Sequence, residues 1–150
     1  MAVKIWPEFN DAGDLPPGIH SAKLEELISH FGVGIPQRVR VANRLRQIYE
    51  RAIASGHLGR FIVFGSFITA KTAPNDVDIF ILMEDSFDVN QVAREVRLIF
   101  DHAAAQNYLG ASIFWLRHAA ALGGESNAIS HWQTKRDGGR RGIVEVTRGD

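Results

Sequence analysis

The chain has 150 residues, 45% of them hydrophobic, enough for one core of ordinary size, and its 17 lysines and arginines balance its 17 aspartates and glutamates. The zero net charge excludes a general pull toward nucleic acid or an anionic membrane, and the lack of cysteine excludes disulfides and thiolate zinc sites. Its apolar runs fall short of the roughly 20 residues that span a bilayer, and MAVKIWPEFNDAGD lacks the apolar centre of a signal peptide, so the expectation is one cytoplasmic domain over 1–150 without membrane contact.

Residues 1–20 read as an extended arm, because DLPPGIH brings two φ-fixing prolines and a glycine; Trp6 and Phe9 are suited to hold it on the body. SAKLEELISHF predicts a short helix with Ser21 as N-cap, Glu25 and Glu26 near its positive end and Gly32 past its stop. A second helix is expected from Pro36 to about Ser55, with Val39, Ala42, Leu45, Ile48 and Ala52 as its buried stripe. Its arginines (Arg38, Arg40, Arg44, Arg46 and Arg51) read as a solvated face, with RNA binding as the alternative.

FIVF (61–64) predicts a buried strand and DVDIFILM (76–83) a second. VNQVAREVRLIFDHAAAQ (89–106) is the strongest helical segment, with Val92, Val96, Ile99 and Ala103 on one face, and ASIFWL (111–116) is a third strand. HWQTKRDGGRRGIVEV reads as an exposed edge hairpin turning at Asp137, Gly138 and Gly139. Lys135, Arg136, Arg140 and Arg141 around its tip are either solubilising or a basic clamp over phosphates. Helices alternating with apolar strands predict an α/β (α+β) fold, a small mixed sheet flanked by helices.

FGSFITAKTAPNDVDIF (64–80) carries the chemistry. From Gly65 it nearly spells a phosphate loop ending in Lys71 and Thr72, but Ala70 stands where that loop needs glycine, and Ala73, Pro74 and Asn75 follow where it needs a helix. The alternative reading joins Gly65 and Ser66 to Asp76 and Asp78. Two aspartates one residue apart on a strand share a face, with Cα atoms roughly 7 Å apart. They repel each other unless a cation lies between them, and carboxylates with phosphate oxygens are the ligands Mg²⁺ favours. Gly65 allows close backbone approach to phosphates, and the Ser66 hydroxyl can donate to one.

Phe64, Gly65, Ser66, nine residues, then Asp76, Val77, Asp78 and Ile79 resemble the signature of the nucleotidyltransferase superfamily that includes DNA polymerase beta. LPPGIH, LEEL with F-G, the GSF-x-T-x-K-x-x-P-N-D block and the tail W-Q-T-x-R-x-G-x-x-G-I-V extend the resemblance to a group of short, uncharacterised bacterial nucleotidyltransferase-like proteins. The resemblance implies a minimal nucleotidyltransferase fold, with Asp76 and Asp78 holding Mg²⁺ (or Mn²⁺) and acting as the catalytic pair. Gly65, Ser66 and Lys71 would contact a nucleoside triphosphate, whose nucleotidyl group passes to a hydroxyl of a protein, an RNA end or a small molecule. Members of the superfamily place a third carboxylate on a neighbouring strand. ASIFWL has none, and Glu145 is the only strand-borne candidate; an exposed edge would leave it facing water. The alternative function is therefore a catalytically degenerate nucleotide- or partner-binding module of a bacterial defence or toxin-antitoxin system. The six histidines show no metal-binding spacing and read as surface or locally bonded residues.

Overall fold

The structure, a computed structural model, describes residues 4–148. Strands β1 (Gly18–Lys23), β2 (Leu58–Phe64), β3 (Val77–Met83), β4 (Ala111–Arg117) and β5 (Gly142–Thr147) form one sheet in the order β1-β5-β2-β3-β4. β1 runs parallel to β5 and β3 to β4, whereas β2 is antiparallel to both β5 and β3. Helices α1 (Leu24–Phe31), α2 (Pro36–Ala54), α3 (Arg94–Arg97), α4 (His102–Leu109) and α5 (Glu125–Ser130) flank it, as the α+β expectation requires. Among the described residues no helix is long and apolar enough to cross a membrane.

The central strands are apolar on both faces, so FIVF and IFILM read as continuous runs rather than alternating ones. Phe61, Val63, Ile79, Ile81 and Val144 point into the main core, where they meet Leu27 and Phe31 of α1 and Val41, Leu45 and Ile48 of α2. Ile62, Phe64, Phe80, Leu82 and Ile143 point the other way and, among the described residues, are covered by Ile129 of α5, Trp132 and their neighbours. That thinly covered second face also carries Asp78, two residues before Phe80 in β3, because side chains alternate along a strand.

Several local expectations are corrected. The arm ends sooner than predicted: residues 18–23 pair along β5, so Ser21 lies within β1 opposite Glu145 and caps nothing. α1 begins after Lys23, whose N–H donates to Glu26 Oε1 at 2.8 Å. Trp6 does hold the arm on the body, its ring stacked on His30 at 5.0 Å and edge-on to Phe31 at 5.1 Å. In α2 the buried stripe is Arg38, Val41, Ala42, Leu45, Ile48 and Ala52, while Val39 is exposed.

The long helix over 89–106 is broken. A 3-10 turn at Val89–Gln91 follows Asp88, whose side chain accepts from Asn90 N–H, and α4 starts afresh after Asp101, whose side chain accepts from Ala104 N–H. Short acidic side chains that bond nearby amides compete with a continuing helix, and the predicted face loses Ala103 to solvent. The C-terminal hairpin keeps its turn, with Lys135 N–H bonded to Gly139 O at 2.7 Å, but pairs only at the bridge Thr134–Arg140. Its second strand, β5, is interior, because β1 covers the side expected to be an exposed edge.

Candidate functional site

Just past β2, Gly65 takes φ +83° and ψ −164° and turns the chain into a 3-10 turn over Ser66–Ile68. The glycine is required twice. Its φ is one that side chains disfavour, and a Cβ there would overlap Asp78 Oδ2 and lie 2.8 Å from Asp78 Cγ. The Asp78 carboxyl group thus rests on bare backbone.

The loop after Gly65 is tied down from several directions. Ser66 O accepts from the Thr69 hydroxyl at 2.7 Å, and Ala70 N–H donates to Gly13 O of the arm at 2.8 Å. The strongest tie is Arg38. Its guanidinium donates to the carbonyls of Phe31 (3.0 Å), Phe67 (2.7 Å), Thr69 (2.8 Å) and Lys71 (2.5 Å). Arg38 is only 9% exposed, so it is a buried clamp rather than part of the solvated face read from the sequence; desolvation lowers its pKa. Arg46 does remain on that solvated side, paired with Glu25. No helix follows Lys71, whose side chain is exposed, in keeping with the rejection of the phosphate-loop reading.

Asp76 immediately precedes β3, and Asp78 lies within it, flanked in register by Phe64 on β2 and Ser112 on β4. Burial, then the neighbouring charge of Asp76, push the Asp78 carboxyl up to about 6, against the opposing pull of Arg141, a Ser112 hydrogen bond and Arg136. A carboxyl group in this position gains from a bound cation.

Asp78 opens onto a cleft of about 540 Å³ on the second face of the sheet, a volume suited to a small molecule. Phe64, Phe114 and Trp132 form one wall, with Trp132 stacked on Phe64 at 4.5 Å and 5.1 Å from Phe114. Lys135 and Arg136 form a cationic rim. Asp14 of the arm, nearly buried, anchors Lys135 through a 2.8 Å ion pair. Arg141 lies over the Phe64 ring at 5.8 Å. The basic turn read from the sequence in two ways is thus at the mouth of the cleft that holds Asp78.

Glu145 is elsewhere. It pairs across β5 and β2 with Ile62, whereas Asp78 pairs with Phe64; standard sheet spacings put the two Cα atoms roughly 12 Å apart. Its carboxylate is gripped by Arg60, with Nε–Oε2 at 2.7 Å and Nη2–Oε1 at 2.5 Å. Arg60 also holds Glu125 of α5 at 3.1 Å. Glu145 therefore neither joins the aspartate pair nor faces open water. Among the described residues no three His, Cys, Asp or Glu side chains converge as a metal cage.

The structure brings Gly65, Asp76 and Asp78 together, keeps Ser66 half-buried on the turn beside them, and leaves Lys71 at the loop's exposed end. Sequence reasoning missed Arg38, Trp132, Phe114 and His102. Arg38 had a signal, since 38, 41, 42, 45, 48 and 52 share one helical stripe. The aromatic wall had none, being assembled from three separate segments.

The chain belongs to a family of unknown function, DUF6932, which matches residues 7–147. No curated protein and no solved structure matches it.

Proposed function

We propose that this chain is a nucleotidyltransferase-like protein, which binds a nucleoside triphosphate with Mg²⁺ (or Mn²⁺) in the Asp78 cleft and transfers its nucleotidyl group to a hydroxyl acceptor. The observation that carries this reading is the Asp78 carboxyl group, seated on Gly65 beside Asp76 and opening onto a cleft with a cationic rim. Asp76 and Asp78 would hold the cation, and the donor set fits: two acids, of which Asp78 is part-buried, its pKa raised by that burial and by the charge of Asp76. When bound, the cation supplies Lewis-acid stabilisation of the phosphate charge. Lys135, Arg136 and Arg141 add positive charge where the polyphosphate would lie, and the aromatic wall offers flat apolar surface to a base. Ser66 donates from the turn, and Arg38 holds the turn in shape. An acceptor from the cytoplasm, whether protein, RNA end or small molecule, completes the reaction.

A second reading, nucleotide or partner binding without transfer, as in a defence or toxin-antitoxin component, is favoured by one observation. Glu145 is committed to Arg60, which leaves the aspartate pair without a third acid from that strand. Incubation with Mg²⁺, each of the four α-labelled ribonucleotides and cell lysate tests the first reading; label passing to an acceptor supports it. Calorimetric binding of a non-hydrolysable triphosphate with no label transfer would leave the second, and no binding would remove both nucleotide readings.

A further inference from the structure

His102 is the first residue of α4, held there by the Asp101 side chain that accepts from Ala104 N–H at 3.1 Å. Its ring lies 4.9 Å from the Phe114 ring, and its Nδ1 is 3.2 Å from the Ile113 carbonyl oxygen. A carbonyl only accepts, so this contact places the proton of the neutral imidazole on Nδ1 and leaves Nε2 with a free lone pair. The ring lines the cleft together with Asp78 and Ser112. Among the other polar groups lining the cleft, Lys135 is paired with Asp14, Gln106 donates to Ser112 at 3.4 Å, and Arg136 is a cation that cannot act as a base. Of the two imidazoles lining the cleft, His102 is the one whose tautomer a hydrogen bond fixes among the described residues; His131 packs edge-on against Trp132.

We propose that His102 Nε2 is the general base for the acceptor hydroxyl, doing through an imidazole what the sheet lacks a third carboxylate to do. This rests on the nucleotidyl-transfer reading. The acceptor oxygen forms a bond to the α-phosphorus, the bond from that phosphorus to the oxygen bridging the β-phosphate breaks, and pyrophosphate leaves with the electron pair. The hydroxyl proton moves to Nε2, and the imidazolium that results keeps its Nδ1–H on the Ile113 carbonyl. The proton then passes to solvent.

Two measurements test it. Nitrogen-15 NMR of the neutral His102 ring should show the proton on Nδ1; a proton on Nε2 would overturn the proposal. In single-turnover transfer from α-labelled nucleotides with Mg²⁺ and a lysate acceptor fraction, His102→Gln and His102→Phe should transfer about 100-fold or more slowly while binding Mg–nucleotide within about twofold of the wild type. Added imidazole should partly restore His102→Ala. The phenylalanine variant separates chemistry from packing, because it keeps a ring against Phe114. Transfer by His102→Phe at the wild-type rate would overturn the proposal and leave the nucleotidyl-transfer reading standing; no transfer by the wild-type protein would remove both.

Discussion

The carboxyl group of Asp78 sits where a side chain on residue 65 would have to be: a Cβ on Gly65 would overlap Asp78 Oδ2 and lie 3.1 Å from Asp78 Cβ. The turn and the acid therefore define each other. Gly65→Ala should lose Mg-dependent nucleotide binding, because the methyl group displaces the carboxylate. It should also lose about 1–3 kcal/mol of stability, the usual cost of holding a side chain at positive φ. Urea denaturation and calorimetry check both effects, and an alanine variant that binds like the wild type would show that the Asp78 position does not depend on the glycine.

The raised Asp78 carboxyl makes a pH prediction with a definite sign. Its folded pKa of about 6 stands above an ordinary 3.8, so between these values the folded chain keeps a proton the unfolded chain has released. Stability from this group is present below pH 4, roughly, and is lost as pH rises through about 6. Metal-free Asp78→Asn should therefore exceed the wild type by about 1–2 kcal/mol near pH 7, less than full linkage because part of the carboxylate meets solvent. The two proteins should converge at acid pH. Mg²⁺ should stabilise the wild type above pH 6 and not the variant; thermal melts across pH, with and without Mg²⁺, read all three outcomes.

Arg38 offers a test of the loop rather than of the acids. Four carbonyls lean on one buried guanidinium, and its removal leaves buried acceptors without donors. Arg38→Met should cost on the order of 3–5 kcal/mol, within the range for breaking a buried polar network. Amides of residues 66–72 should exchange faster than those of β2 and β3. Uniform loss of protection across the sheet would mean that Arg38 supports the whole fold and not this loop in particular.

How much of this was legible in the sequence follows from the range of each interaction. FIVF and IFILM announced strands because their signal is local and continuous, and Gly65, Ser66, Asp76 and Asp78 carried theirs in a fixed spacing. The 89–106 segment misled because apolar periodicity survives across Asp101, although that side chain caps a new helix. Ser21 misled because pairing with β5 lies about 120 residues away and overrides a good local cap. The cleft was least legible. Its walls come from β2, β4 and the turn after α5, and no short window holds more than one of them.

Glu145 is a structural acid, and its variant can be set against one in the proposed cation pair. Its carboxylate takes two hydrogen bonds from Arg60, which also ties down Glu125 of α5, so the trio fastens that helix to the sheet. Glu145→Gln should lower stability by about 1–2 kcal/mol, as expected for weakening a part-buried, bidentate pair, while Mg-dependent nucleotide binding stays at the wild-type level. Asp76→Asn should do the opposite: little change in metal-free stability, since a repelling charge is removed from Asp78, but loss of Mg-dependent binding. Denaturation and calorimetry on the two variants, measured side by side, decide the matter. If Glu145→Gln also abolished Mg-dependent binding while retaining its fold, the proposed cation site would have to include β5, and its confinement to the aspartate pair would be wrong.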